Sequence, residues 1–271
     1  MEYEKVIFKK ARISRITLND QEKRNAFSHQ LIAELMNALK EVEKDDECRM
    51  VILDHEGPVF SAGHDIAEEI PVGCTPRTQE DWREFLEWVR NDFYLPLWDY
   101  TKPIICKIDG TAVAGGIDLS CFADVCYCSD ESFFTWFPIA QMTVATTPSQ
   151  ILFWKIGMWK FKEFLLGRGW NGKEAEANGL VEKSLPREEL EDFVMDRARL
   201  TTKAIPATIK LNKHNIRFLM NRLGVRDAII FGSEQDILAH MHSADQPFEE
   251  IMRTEGVKGM IGLAREKMAE D

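Results

Sequence analysis

Gly110-Thr111-Ala112-Val113-Ala114-Gly115-Gly116-Ile117-Asp118-Leu119 follows directly on the apolar run Pro103 to Ile108 and leads into a second apolar stretch that reaches Phe122. The first run has the length and composition of a buried strand, and the Asp109-Gly110 pair closes it with a turn. Ala114-Gly115-Gly116 then opens a short helix. Small residues there let the backbone approach a ligand closely, and the N–H groups of a helix start have no partner within the helix. Phe60-Ser61-Ala62-Gly63-His64-Asp65-Ile66, about 50 residues earlier, repeats the arrangement after another strand-like region. Two such sets of free donors aimed at one point form an oxyanion hole. Taken singly, each turn is equally well explained by chain geometry.

Working outward, Val6 to Phe8 and Arg12 to Leu18 alternate with the strand period and predict a hairpin. Ser28 precedes Leu31, Ile32, Leu35, Leu39 and Val42, which recur at helical spacing up to Lys44, so Ser28 is expected to cap that helix. Met50 to Leu53 is a short apolar strand. Residues 55 to 78, rich in Gly and Pro, are expected to form a loop too long for a plain connection. A helical pattern covers Gln79 to Tyr100 (Trp82, Phe85, Leu86, Val89, Phe93), and Val125 to Cys128 is a further strand. From Thr147 onward the pattern is almost wholly helical, with turns at Gly157, Gly167 to Gly172, Leu185-Pro186 and Gly224. The order predicts an α/β core over residues 1–202 and a helical region over 203–271, divided where Thr201-Thr202 and Pro206 interrupt the helices.

A chain of 271 residues with 45% hydrophobic and 29% charged residues has enough apolar surface for a core without disulfides or metals. The net charge of −11 argues against nucleic acid as a bulk partner but leaves room for an anionic small ligand at a local basic patch. The six cysteines include no CxxC pair and mostly lie in apolar stretches, so they are expected to be reduced core residues and no metal is expected. The absence of a membrane-length apolar run and of a signal-like N-terminus predicts no membrane association and a cytoplasmic location.

The two glycine turns as a pair resemble the crotonase (enoyl-CoA hydratase/isomerase) superfamily. The resemblance extends to Gln21-Glu22-Lys23-Arg24-Asn25-Ala26-Phe27 and to Ala175-Glu176-Ala177-Asn178-Gly179-Leu180-Val181, and so covers most of residues 3 to 200. It implies a spiral of stacked ββα units followed by a C-terminal helical trimerisation region, in trimers or paired trimers. It implies an acyl-CoA thioester as substrate, with CoA as part of that substrate and no separate cofactor. It also implies that the backbone N–H groups of His64 and Gly115 stabilise a thioester enolate. Lys23, Arg24 and Ala26 from the first segment, with Ala62, His64, Asp65 and Ile66 from the second, are the expected CoA-binding residues. Trp136 and Ile139 are expected beside the acyl group.

Family hydratases carry two glutamates flanking the water that is added. The position of the first, three residues after the oxyanion glycine, is Asp118 here; the position of the second is Ile139, which transfers no proton. Asp118 is therefore the expected single acid/base, or else a helix-capping residue. Asp65 is expected to brace its loop, and His240 and His242 to lie on the surface. Trp82, Phe85, Trp88 and Phe93, with Trp136 and Phe137, are core residues or the wall of a pocket for a bulky acyl group. Three readings stay open: a hydratase/isomerase using Asp118, a C–C hydrolase opening a cyclic β-oxoacyl-CoA, and a non-catalytic acyl-CoA binder.

Overall fold

The computed structural model describes residues 2–136, 150–243 and 247–269, except for the side chains at 150, 241–243, 247–248 and 264–269. Ile139 and Phe137 lie outside the described residues, as does the side chain of His242.

The N-terminal hairpin pairs β1 (Val6–Lys9) with β2 (Ile13–Leu18) in antiparallel register. Ser28 caps α1 (His29–Lys44), its hydroxyl accepting from the Leu31 N–H at 3.2 Å. Leu31, Leu35, Leu39 and Val42 form the fully buried face of α1, as their spacing requires. β3 (Met50–His55) follows, buried on both faces because it is an interior strand of a parallel sheet.

From β3 a unit recurs in which one strand joins a six-stranded sheet, the next joins a smaller sheet, and a helix follows. β3, β4 (Val59–Ser61) and α2 (Ile66–Glu69) make the first unit. α3 (Gln79–Trp88), one π turn (Val89–Tyr94) and α4 (Leu95–Asp99) then lead to β5 (Ile104–Ile108), β6 (Thr111–Val113) and α5 (Gly115–Phe122), the second unit. β7 (Val125–Ser129) and β8 (Phe133–Thr135) begin the third. The large sheet runs β1-β2-β3-β5-β7-β10, and the small one β4-β6-β8-β9. The second sheet was not legible in the residue pattern. Its strands span two or three residues each, too few to display alternation.

The expected loop over 55–78 thus contains β4 and α2. The helical stretch after 147 is likewise interrupted by β9 (Trp170–Asn171) and β10 (Lys183–Leu185), both short edge strands. Between and around them lie α6 (Gln150–Ile156), α7 (Met158–Leu166), α8 (Gly172–Ala177) and α9 (Arg187–Thr201). α10 (Pro206–Arg222), α11 (Val225–Ser243) and α12 (Pro247–Ala269, kinked at Gly256) complete the described chain. None of the helices among the described residues is long and apolar enough to cross a membrane.

Candidate active site

The small parallel sheet fixes the geometry of the site. Ser61 of β4 is in register with Ala112 of β6, and Val113 of β6 with Thr135 of β8. The turns that follow these strands therefore emerge side by side: Ala62 to Asp65, Ala114 to Gly116, and Trp136. A methyl group on Gly63 would lie 3.0 Å from the Gly115 nitrogen, and one on Gly116 only 2.5 Å from the Ser61 carbonyl oxygen. A side chain on Gly116 would displace the Ser61 backbone, and one on Gly63 would press on the Gly115 nitrogen.

The two expected donors lie on the turns that meet at this junction. Phe27 pairs with His64 in parallel fashion, donating to the Gly63 carbonyl at 2.7 Å and accepting from the Asp65 N–H at 3.4 Å. In that pattern the N–H of His64 faces away from Phe27. Gly115 is the first residue of α5, so its N–H has no helical acceptor. Ala114 turns the chain between β6 and α5 at φ 49°, ψ −117°, a conformation that costs a residue with a Cβ about 1–3 kcal/mol. Among the described residues neither the His64 nor the Gly115 N–H has a backbone acceptor.

Asp118 lies one turn into α5, 1% exposed, and neither carboxylate oxygen has a hydrogen-bond partner among the described residues. It caps nothing, which removes the capping alternative. Burial pushes its pKa well above the usual carboxylate range, and the charge of Asp236 adds to the shift. Trp136 is also buried, with an indole N–H that has no partner among the described residues.

The segments expected to hold CoA form one unit. The Ala62 N–H donates to the Arg24 carbonyl at 3.1 Å, and the Ser61 hydroxyl to the Asn25 carbonyl at 2.8 Å. Asn25 is buried and donates to the carbonyls of Glu56 and Val59, holding Arg24 and itself at positive φ. Arg24 is exposed and Ala26 is buried. The ammonium of Lys23 is held 2.6 Å from Asp65, whose other oxygen accepts from the Glu68 N–H at the start of α2, next to Ile66. Asp65 thus braces the loop, and Lys23 is tied into the same brace.

Four residues near the site were absent from the sequence reading in this role. His64 Nε2 lies 2.6 Å from the Tyr94 hydroxyl, and Nδ1 lies 3.1 Å from a Glu69 oxygen. Burial lowers the His64 pKa, but the Glu69 carboxylate outweighs it, and the net shift is upward. Asp236 and His240 approach from α11. His240 was expected at the surface, yet its side chain is only 13% exposed and stacks on Trp82 at 3.8 Å between ring centroids. Its Nδ1 sits 3.4 Å from Glu249 and its Nε2 3.8 Å from Asp236. The expectation failed because an amphipathic pattern is weak in α11, whose faces are divided between the core, the site and solvent.

Known proteins resemble this chain in sequence and in fold. The sequence model described as enoyl-CoA hydratase/isomerase matches residues 9–250. A Thermus thermophilus protein bearing the name enoyl-CoA hydratase is 31% identical over 208 residues, 75% of this chain and 80% of that one. The 4-chlorobenzoyl coenzyme A dehalogenase-1 of an Arthrobacter species is 31% identical over 190 residues, 69% of this chain and 68% of its own. Among solved structures, an enoyl-CoA hydratase/isomerase from Xanthobacter autotrophicus Py2 superposes with a TM-score of 0.87 at 23% identity, covering 98% of this chain and 99% of the other.

Proposed function

This chain belongs to the enoyl-CoA hydratase/isomerase family, and from that membership we propose that it processes an acyl-CoA thioester through an enolate held by the N–H groups of His64 and Gly115, with Asp118 moving the proton. The observation that carries the reading is that two turns emerging side by side each leave a backbone N–H without a backbone acceptor, and that a buried carboxyl group beside them has no hydrogen-bond partner among the described residues.

The chemistry follows from charge. When a proton leaves or reaches the carbon beside the thioester carbonyl, negative charge collects on the carbonyl oxygen. Two fixed N–H groups meet that charge without reorganisation, and removing one such donor costs about 3–4 kcal/mol of barrier. The Ala114 conformation supports this reading, since it presents the Gly115 N–H before any ligand arrives. Asp118 has the chemistry of an acid held ready. Burial, with the charge of Asp236, raises its pKa and so favours the protonated form that can give a proton. The exposed Arg24 remains available to pair with phosphates of CoA.

The test is proton exchange at the α-carbon of butanoyl-CoA in D2O, followed by mass spectrometry. The protein should incorporate deuterium, and Asp118→Asn should slow the exchange at least ~100-fold, the low end for a general acid–base, while binding of a non-hydrolysable acyl-CoA by calorimetry persists. A protein that binds no CoA ester defeats the proposal. A panel of straight-chain, aromatic and alicyclic acyl-CoAs then identifies the acyl group and separates hydration from ring-opening hydrolysis.

A further inference from the structure

When Asp118 is the acid that protonates the α-carbon, it is not at that moment a base, and a separate group can accept the proton that water loses. From the contacts around His64 we infer that Tyr94, backed by His64 and Glu69, is the second proton-transfer group of this site. The inference rests on the enolate reading above and specifies the group that works with Asp118.

Tyr94 is placed by the π turn. Pro96 has no N–H and its ring would collide with the carbonyl of Asp92 in a regular helix, so the chain widens and Leu95 donates to the Arg90 carbonyl instead. The widened turn directs Tyr94 inward, where its side chain is fully buried. Its ring stacks on Phe122 at 5.7 Å and 17°. Phe122 is four residues after Asp118 and shares its face of α5, so Tyr94 stands beside Asp118. His64 Nε2 lies 2.6 Å from its hydroxyl, and Glu69 lies 3.1 Å from Nδ1 on the far side of the imidazole.

The charged and titratable groups that face Tyr94 and His64 are Glu69 from α2, Asp118 from α5, and Asp236 and His240 from α11. Three are carboxyl groups, and their field favours a proton on the imidazole over a negative charge on the phenol. Burial and the same carboxyl groups push the Tyr94 phenol well above its ordinary range. Tyr94 therefore does not act as a standing phenolate. It passes a proton on, gaining one from water as it gives its own to His64 Nε2.

In the hydration direction the step balances as follows. Water gives a proton to Tyr94 Oη while the phenol proton moves to His64 Nε2, and the oxygen of water bonds to the β-carbon. The electron pair of the double bond shifts to the thioester oxygen, held by the His64 and Gly115 N–H groups. The enolate then collapses as Asp118 gives its proton to the α-carbon. The substrate has gained H and OH, His64 ends protonated beside Glu69, and Asp118 ends as a carboxylate. Return of the proton from imidazolium to carboxylate through solvent restores the starting state.

The experiment compares two reactions of each variant: hydration of crotonyl-CoA and α-proton exchange of butanoyl-CoA in D2O. Exchange needs the two N–H groups and Asp118, whereas hydration also needs Tyr94. Tyr94→Phe should lower hydration at least ~100-fold relative to exchange. Glu69→Gln should move the acidic limb of the hydration profile to lower pH. Hydration needs neutral His64, Glu69 holds the His64 pKa up, and a purely structural Glu69 would leave that limb in place. Should Tyr94→Phe fail to fold by circular dichroism, the Glu69→Gln profile decides alone. Hydration that stays within a few-fold of wild type relative to exchange in Tyr94→Phe overturns the inference, as does a wild-type protein that exchanges butanoyl-CoA but never hydrates crotonyl-CoA. A wild type that does neither overturns the enolate reading together with this one.

Discussion

Two buried acids show how differently one chain uses carboxyl groups. Glu34 is 1% exposed and its Oε2 accepts from the N–H groups of Glu4, Lys5 and Val6 at 2.8–3.0 Å, so its burial is compensated. Asp118 is equally buried and receives no such bond among the described residues. A carboxyl group with a raised folded-state pKa weakens the fold wherever the unfolded chain would be ionised and the folded one resists it. Asp118→Asn is therefore expected to melt at a higher temperature than the wild type near neutral pH. The difference should vanish below about pH 4, where both states of the wild type are protonated. Paired calorimetric melts at the two pH values check this; a variant less stable at neutral pH would show that Asp118 has a stabilising partner. Gly63 gives a second expectation. At φ 83° it is in the left-handed region, where a side chain costs about 1–2 kcal/mol. An added methyl would also sit against the Gly115 nitrogen. Gly63→Ala should cost that much stability in urea titration and abolish α-proton exchange, a larger loss of activity than of fold. The glycine turns were readable in the sequence because backbone donors need small neighbours. Tyr94 and Glu69 were not, because an apolar helix and an acidic surface turn look alike whether or not a histidine lies between them.

The individual elements differ in how clearly the residue pattern announces them. α1 declared itself through Ser28 and four buried positions at helical spacing, and β3 and β5 through apolar runs bounded by turns. The small sheet carries no such pattern, and its register had to come from three parallel strands closing together. The π turn did leave a trace, since a proline inside a helical pattern marks a break just before it. Pro96 stands two residues after Tyr94. The link between α1 and β1 was also hidden, because one glutamate on a helix face does not advertise three backbone donors. Glu34→Ala would leave those three N–H groups buried or half-buried without an acceptor. On the order of 3 kcal/mol should be lost, read as a lower urea midpoint with an unchanged slope. Glu34→Gln keeps one acceptor oxygen and should lose less. Equal losses from the two substitutions would show that the loss comes from packing.

At the scale of the molecule, the helical C-terminal region is unlike the rest in what it leaves bare. α10 buries none of its seventeen residues, and Leu211, Phe218, Leu219 and Leu223 are each 58–61% exposed. A row of large apolar side chains of this kind is costly to leave in water and fits a copy of the same chain. We propose a trimer or a pair of trimers closed through these helices. Light scattering should return a mass that is a multiple of three chains of 31.2 kDa. Leu219→Asp combined with Leu223→Asp should reduce it to one; a wild type that remains monomeric at micromolar concentration rules the assembly out. α11 adjoins this surface and has a divided task. Phe231 and Leu238 face outward, 60% and 53% exposed, while Asp236 and His240 on the same helix reach the charge cluster around His64 and Asp118. In the proposed trimer α11 would be held at its outer face by neighbours and at its inner face by the site, which would couple the two. Diluting the protein would then act like an inhibitor: as subunits part, α11 would loosen and specific activity would fall with enzyme concentration, recovering on reconcentration without any change in the substrate.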